Sequence, residues 1–220
     1  MRFIGFYNYT VILTYLSLIS GVIGMKLACD GRFGLSVCCL MFSGICDMFD
    51  GAVARSKKDR SPDEKSFGIQ LDSLSDVICF GVFPAVYLYF RGINTVYGLA
   101  ILIFYVLTAV IRLAFFNVLE TKRQMTEDGC AKYYRGLPVT SSAIIFPFFY
   151  LLGMALKNHI MIAIYYVLPL LIGILFISDI KIPKLDISKL LHTSSSEQED
   201  CEQELYSDSE SEVIPSSEKR

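Results

Sequence analysis

Residues 33–55 read FGLSVCCLMFSGICDMFDGAVAR and residues 68–90 read GIQLDSLSDVICFGVFPAVYLYF. Both stretches are mostly apolar, yet the first carries Asp47 and Asp50 and the second Asp72 and Asp76. A membrane-spanning helix needs ~20 mostly apolar residues. A charged side chain at membrane depth costs ~2.5–3.5 kcal/mol even on the lenient insertion scale, so such groups face an interior cavity and carry function. Asp47 and Asp50 are three positions apart, and Asp72 and Asp76 four, so each pair shares one face of its helix. Two such pairs facing each other make a nest of hard oxygen ligands. Magnesium or manganese suits that nest, because no His or Cys cluster competes for the metal.

The chain as a whole is 53% hydrophobic, and its polar residues are concentrated at the C-terminal end. Six segments have the length and apolarity of spans: 9–27, 33–53, 72–90, 96–118, 138–156 and 160–177. The expected fold class is therefore an all-α integral membrane protein, a bundle of six transmembrane helices followed by a disordered acidic tail. The expected division is a membrane domain over 1–181 and a polar tail over 182–220. The tail holds Ser-Ser-Ser-Glu-Gln-Glu-Asp at 194–200 and Ser-Asp-Ser-Glu-Ser-Glu at 207–212, with too few apolar residues to offset the entropy of ordering. The polar run 56–65, between the two aspartate pairs, reads as a loop.

Lys and Arg set the expected orientation. Lys57, Lys58, Arg60 and Lys65 lie between the second and third spans, and Lys122, Arg123, Lys132 and Arg135 between the fourth and fifth. Lys181, Lys184 and Lys189 follow the last span, whereas the alternate connections are poor in basic residues. By the positive-inside rule both termini and the aspartate-bearing end face the cytoplasm of a cell-membrane protein. Cys38, Cys39, Cys46 and Cys79 read as small hydrophobes, since no C-x-x-C pair occurs. With no Trp, tyrosines such as Tyr9, Tyr87 and Tyr89 are expected to supply the interfacial belt.

The aspartates stand in the pattern D-x-x-D-G-x-x-A-R at 47–55 and G-x-x-x-D-x-x-x-D at 68–76. This resembles the signature of the CDP-alcohol phosphatidyltransferase family, with a longer spacer between the two halves. The resemblance implies that Asp47, Asp50, Asp72 and Asp76 ligate Mg2+ or Mn2+, as two ions, and that Asp76 also serves as general base. It places Gly51, Ala54, Arg55, Ser66 and Gly68 around the CDP moiety, Arg55 pairing a phosphate through its planar fork. Phosphoryl-type transfer asks the protein chiefly for positioning and for charge against phosphate oxygens, which such a site supplies.

The run 67–85 resembles F-G-x-x-L-D-S-L-A-D-x-x-S-F-G-x-x-P-A of the serine-using branch of that family. Residues 111–117 and 134–138 resemble its R-L-A-R-F-N and F-x-G-L-P runs, with Phe115 in place of the second Arg. The implied reaction moves the phosphatidyl group from CDP-diacylglycerol to L-serine and releases CMP, with Arg112, Asn117 and Arg135 on the acceptor or a phosphate. The resemblance also implies a homodimer in the lipid bilayer, with no nucleic acid partner. Arg112 lies inside an apolar span, so a partner is required: the substrate's phosphate or carboxylate, or one of the motif aspartates. Neither His159 nor His192 has the neighbours of an H-x-K-x-x-x-x-D motif, which argues against a covalent-histidine route. Two alternatives stand beside this reading. One is the same transfer to inositol or glycerol phosphate, and the other is a small cation-coupled transporter using the carboxylates as its ion site.

Overall fold

The computed structural model describes residues 5, 9–56, 61–126, 133–135, 137–155, 158–178 and 181–183. These fall in a compact unit ending at Pro183, and the acidic stretch from 184 onward lies outside the described residues. Among the described residues the α-helices are α1 (Ile12–Cys29), α2 (Phe33–Ser56), α3 (Pro62–Asp76), α4 (Phe83–Phe90), α5 (Val96–Thr126), α6 (Ser142–Ala155) and α7 (Asn158–Ile177). Two three-residue strands, β1 (Tyr133–Arg135) and β2 (Lys181–Pro183), pair antiparallel with Tyr134 opposite Ile182. Their register sets Arg135 opposite Lys181.

Five stretches are long and apolar enough to cross a membrane: Ile12–Cys29, Phe33–Gly51, Pro62–Phe90, Val96–Leu119 and Ile160–Ile177. The sixth expected span, 138–156, is a shorter apolar helix, Val139–Ala155, whose first turn is 3-10. Large apolar side chains cover the outside, among them Ile19, Val22 and Ile23 of α1, Leu107 and Ile111 of α5 and Val167 and Leu171 of α7, each more than half exposed. In water so wide an apolar surface would aggregate; against lipid it costs nothing.

The helix ends follow from local chemistry. α1 closes in a Schellman motif: Arg32 N–H donates to Leu27 O at 2.9 Å, Gly31 N–H donates to Ala28 O at 3.0 Å, and Gly31 takes φ +73°. The same motif ends α4, with Gly92 at φ +126°, Ile93 N–H on Leu88 O at 3.1 Å and Ile93 itself buried. α3 begins ten residues before the expected 72, in what reads as a loop. Ser61 caps it, accepting from Glu64 N–H at 3.1 Å, and Pro62 follows at the first helical position with Asp63 and Glu64 in the first turn. That is a capping box, S-x-x-E, and it outweighs the polarity that made the run look unstructured.

Small residues let the helices approach. Thr14, Ser17, Ser20, Gly21, Gly24 and Ala28 form the buried side of α1, and a Cβ added at Gly24 would lie 2.3 Å from the Phe83 ring. α1 and α2 are stitched reciprocally: Ser43 Oγ donates to Ser17 O at 2.7 Å and Ser17 Oγ to Ser43 O at 3.2 Å. Ser20 Oγ reaches Cys39 O and Ser36 Oγ reaches Gly24 O, both at 2.9 Å. On the other side of α2, Gly44 leaves room for Ala143 of α6, 2.5 Å from where a Cβ would sit. Tyr87, expected at the interface, is buried and meets Phe33 edge-on at 5.8 Å between centroids.

α3 and α4 run on as one helix through a π-helical turn at Val77–Val82. Pro84 has no N–H for the carbonyl of Phe80, four residues back. That carbonyl is buried, and Tyr105 Oη of α5 donates to it at 2.6 Å while also meeting Ser142 Oγ at 2.9 Å. A proline-freed carbonyl in a bundle is thus satisfied by a neighbouring helix. Tyr105→Phe should lower stability by ~1–2 kcal/mol, the usual cost of orphaning a buried acceptor. A thermal midpoint in detergent equal to that of the unaltered protein would show that Phe80 finds another donor.

Candidate active site

α2 and α3 deliver the carboxylates. One oxygen from each of Asp47, Asp50 and Asp72 lies within 4.8 Å of the others. Asp50 and Asp76 are buried, whereas Asp47 and Asp72 are half-buried. Asp76, one turn beyond Asp72, stands within interaction range of Asp47 and Asp72. The two spacings read from sequence bring Asp47, Asp50 and Asp72 to one place, with Asp76 one turn beyond Asp72.

Charge makes this arrangement costly by itself. At 4.8 Å or less, two ionised carboxylates repel by about 3.5 kcal/mol or more with an effective dielectric near 20. Three such pairs sum to ~10 kcal/mol, as large as the whole stability of a typical domain. Among the described residues no Lys or Arg pairs with these aspartates; Lys26 pairs instead with Asp30 at the far end of α1. Asp72 Oδ1 is buried and accepts no hydrogen bond. A buried carboxylate oxygen with no hydrogen bond, beside two more carboxylates, fits a hard divalent cation, whose preferred ligands are such oxygens.

α1 contributes a group that the motif does not contain. Thr14 Oγ1 donates to Asp50 Oδ2 at 3.3 Å, and Thr14 O accepts from Ser75 Oγ at 3.4 Å. Beyond Ser75 the polar chain continues inward: Ser75 Oγ lies 3.9 Å from Cys79 Sγ, and Cys79 Sγ donates to Ser17 O at 3.4 Å. The sequence signal was available, since Thr14, Ser17, Gly21, Gly24 and Ala28 recur at the three- and four-residue spacing of one helix face.

The remaining candidates are distributed differently. Gly51 and Gly68 are half-buried; the side chains of Ala54, Arg55 and Arg135 lie outside what the structure describes. Ser66 is exposed and lines a groove of about 750 Å³ between α3 and α5, together with Gln70, Ser73 and Asn117. Ser73 Oγ donates to Asn117 Oδ1 at 2.9 Å, joining α5 to the helix that carries Asp72. Arg112 is buried on another side of α5, where its Nε donates to Leu137 O at 3.4 Å and its guanidinium stands 5.9 Å from the Phe116 ring. Five helical positions separate Arg112 from Asn117, a turn of about 140°, so the two do not meet. Among the described residues Arg112 forms no ion pair with a motif aspartate.

Comparison with known proteins places this geometry in a family. The profile of the CDP-alcohol phosphatidyltransferases matches residues 7–174, which include all four aspartates. Archaetidylserine synthase of Methanothermobacter thermautotrophicus is 35% identical over 183 residues, covering 80% of this chain and 69% of that protein. The CDP-diacylglycerol–serine O-phosphatidyltransferase of Methanocaldococcus jannaschii is 35% identical over 172 residues, 78% of this chain and 71% of that protein. The enzyme of the same name from Helicobacter pylori is 30% identical over 183 residues, with 80% and 72% covered. No solved structure matches. A profile match across most of the chain and relatives aligned over most of both partners lead to one conclusion: the chain belongs to the CDP-alcohol phosphatidyltransferase family.

Proposed function

We propose that the protein transfers the phosphatidyl group of CDP-diacylglycerol to the hydroxyl of L-serine, giving phosphatidylserine and CMP. The observation that carries this is the cluster of Asp47, Asp50 and Asp72 within 4.8 Å, inside a sequence whose relatives are named for joining serine to a CDP-activated lipid. Serine is common to those names while the lipid differs, archaetidyl in one and diacylglycerol in the others. The acceptor is thus better supported than the lipid, and a CDP-archaeol donor is the second reading.

In the reaction, the serine oxygen bonds to the phosphorus that bears the diacylglycerol. The bond from that phosphorus to the bridging oxygen of the pyrophosphate breaks, and CMP leaves with the electron pair. Asp76 takes the hydroxyl proton. Asp47, Asp50, Asp72 and Asp76 would hold Mg2+ or Mn2+, as two ions, which would supply positive charge against the phosphate oxygens and ease loss of the hydroxyl proton. Gly51, Ala54, Arg55, Ser66 and Gly68 surround the CDP moiety, where the two glycines let backbone approach the nucleotide. Arg112, Asn117 and Arg135 serve the acceptor or a phosphate. Val139–Ala155 crosses as a sixth span, the aspartate-bearing end and both termini face the cytoplasm, and the protein is a homodimer. The acidic stretch from 184 onward has no catalytic part.

The deciding experiment incubates purified protein with divalent metal, CDP-diacylglycerol or CDP-archaeol, and serine, inositol or glycerol phosphate in turn, and identifies the lipid product by mass. Phosphatidylserine with equimolar CMP is expected from serine alone. An inositol or glycerophosphate lipid would overturn the acceptor, and metal-dependent uptake into vesicles with no lipid product would favour a transporter.

Arg112 gives a sharper test of acceptor binding. A guanidinium holds a carboxylate bidentately, an interaction that inositol cannot offer. Arg112→Leu should raise KM for serine by roughly tenfold, about 1.4 kcal/mol, with a smaller change for CDP-diacylglycerol. Equal effects on both would put Arg112 on the phosphates or leave it a brace for Leu137.

A further inference from the structure

We infer that Thr14 is a positioning residue that holds Asp50 in metal-binding geometry, so that α1, which bears no carboxylate, sets the spacing of the site. Thr14 is buried, and its hydroxyl has the carboxylate of Asp50 as its acceptor at 3.3 Å. A carboxylate only accepts, so the hydroxyl must donate. Oδ2 is thereby held toward α1, and the Asp50 carboxylate is kept from swinging away from Asp47 and Asp72, which stand within 4.8 Å.

The same residue is latched to the other motif helix. Ser75, between Asp72 and Asp76, donates to the Thr14 carbonyl at 3.4 Å. One residue of α1 thus touches α2 through its side chain and α3 through its backbone. Without it, repulsion among the carboxylates favours splaying the two aspartate pairs apart whenever no cation is present. Groups that orient a metal ligand commonly change affinity by ~10–100-fold when removed. The inference rests on the metal reading of the aspartate cluster, and on nothing about the acceptor.

The test measures binding of Mn2+ alone to purified protein in detergent, by the loss of the free-ion electron paramagnetic resonance signal. Thr14→Val keeps the shape and the β-branch but removes the donor; Thr14→Ser keeps the donor. Thr14→Val should raise the Kd for Mn2+ at least tenfold, while Thr14→Ser stays within about threefold of the unaltered protein. KM for the nucleotide lipid at saturating metal should move far less than the metal requirement. Equal Mn2+ affinity in Thr14→Val and the unaltered protein overturns the inference, and so does a Thr14→Ser as impaired as Thr14→Val. Should Thr14→Val fail to fold, Thr14→Ala is compared with Thr14→Ser, and equal affinities overturn it. If the unaltered protein itself binds no Mn2+, it is the metal reading that has failed.

Discussion

Asp47→Asn, Asp50→Asn and Asp72→Asn should each remove about three orders of magnitude of turnover. A bound metal supplies several kcal/mol of transition-state charge stabilisation, and each 1.36 kcal/mol is a factor of ten in rate. Asparagine keeps the size and one oxygen but removes the charge, so the loss reports electrostatics rather than a cavity. A second readout separates this from misfolding. Because the three carboxylates repel within 4.8 Å, removing one charge relieves strain in the absence of cation. Each variant should therefore unfold at the same or a higher temperature than the unaltered protein in metal-free detergent, and gain less from added Mn2+. A triple variant that still turns over would end the metal-cluster reading. A variant less stable without metal would show that the carboxylates are structural acceptors instead.

Much of this was legible because both the apolar lengths and the aspartate spacings are local properties of the chain. Hydropathy located the apolar helices, and separations of three and four residues put Asp47 with Asp50 and Asp72 with Asp76. The start of α3 was missed because hydropathy weighs Asp63, Glu64 and Lys65 as polar, whereas the backbone responds to Ser61, Pro62 and Glu64 as a cap. Within the stretch expected as 138–156 the α-helix itself starts only at Ser142, because Val139–Ser141 form a 3-10 turn after Pro138, which hydropathy does not register. Tyr87 looked interfacial from its place near a helix end, but its ring is buried edge-on against Phe33.

What sequence could not carry is which faces meet. Arg112 and Asn117 are neighbours in one run and share a resemblance, yet Arg112 reaches Leu137 and Asn117 reaches Ser73. Ser66 likewise sits near Gly68 in sequence but lines the groove toward α5. Thr14 is 36 positions from Asp50, a distance at which no periodicity argument operates. Such contacts are tertiary, and they decide which polar residues of a membrane helix belong to the site.

Asp76→Asn should abolish turnover while leaving binding of CDP-diacylglycerol within roughly tenfold, about 1.4 kcal/mol. A serine hydroxyl is a poor nucleophile at neutral pH, so its proton must be accepted as attack proceeds. Neither histidine belongs to α2 or α3, the helices that carry the aspartates: His159 falls at the start of α7 and His192 lies outside the described residues. Asp76 is buried beside Asp47 and Asp72 yet outside the group of three whose oxygens lie within 4.8 Å of one another. A residue acting on the proton should affect the chemical step, whereas a residue acting on the cation should affect binding of the pyrophosphate as well. Isothermal titration of CDP-diacylglycerol in mixed micelles, alongside turnover, separates the two. If binding of the nucleotide lipid falls in step with turnover, Asp76 is chiefly a metal ligand, and the proton must leave by way of solvent or another carboxylate.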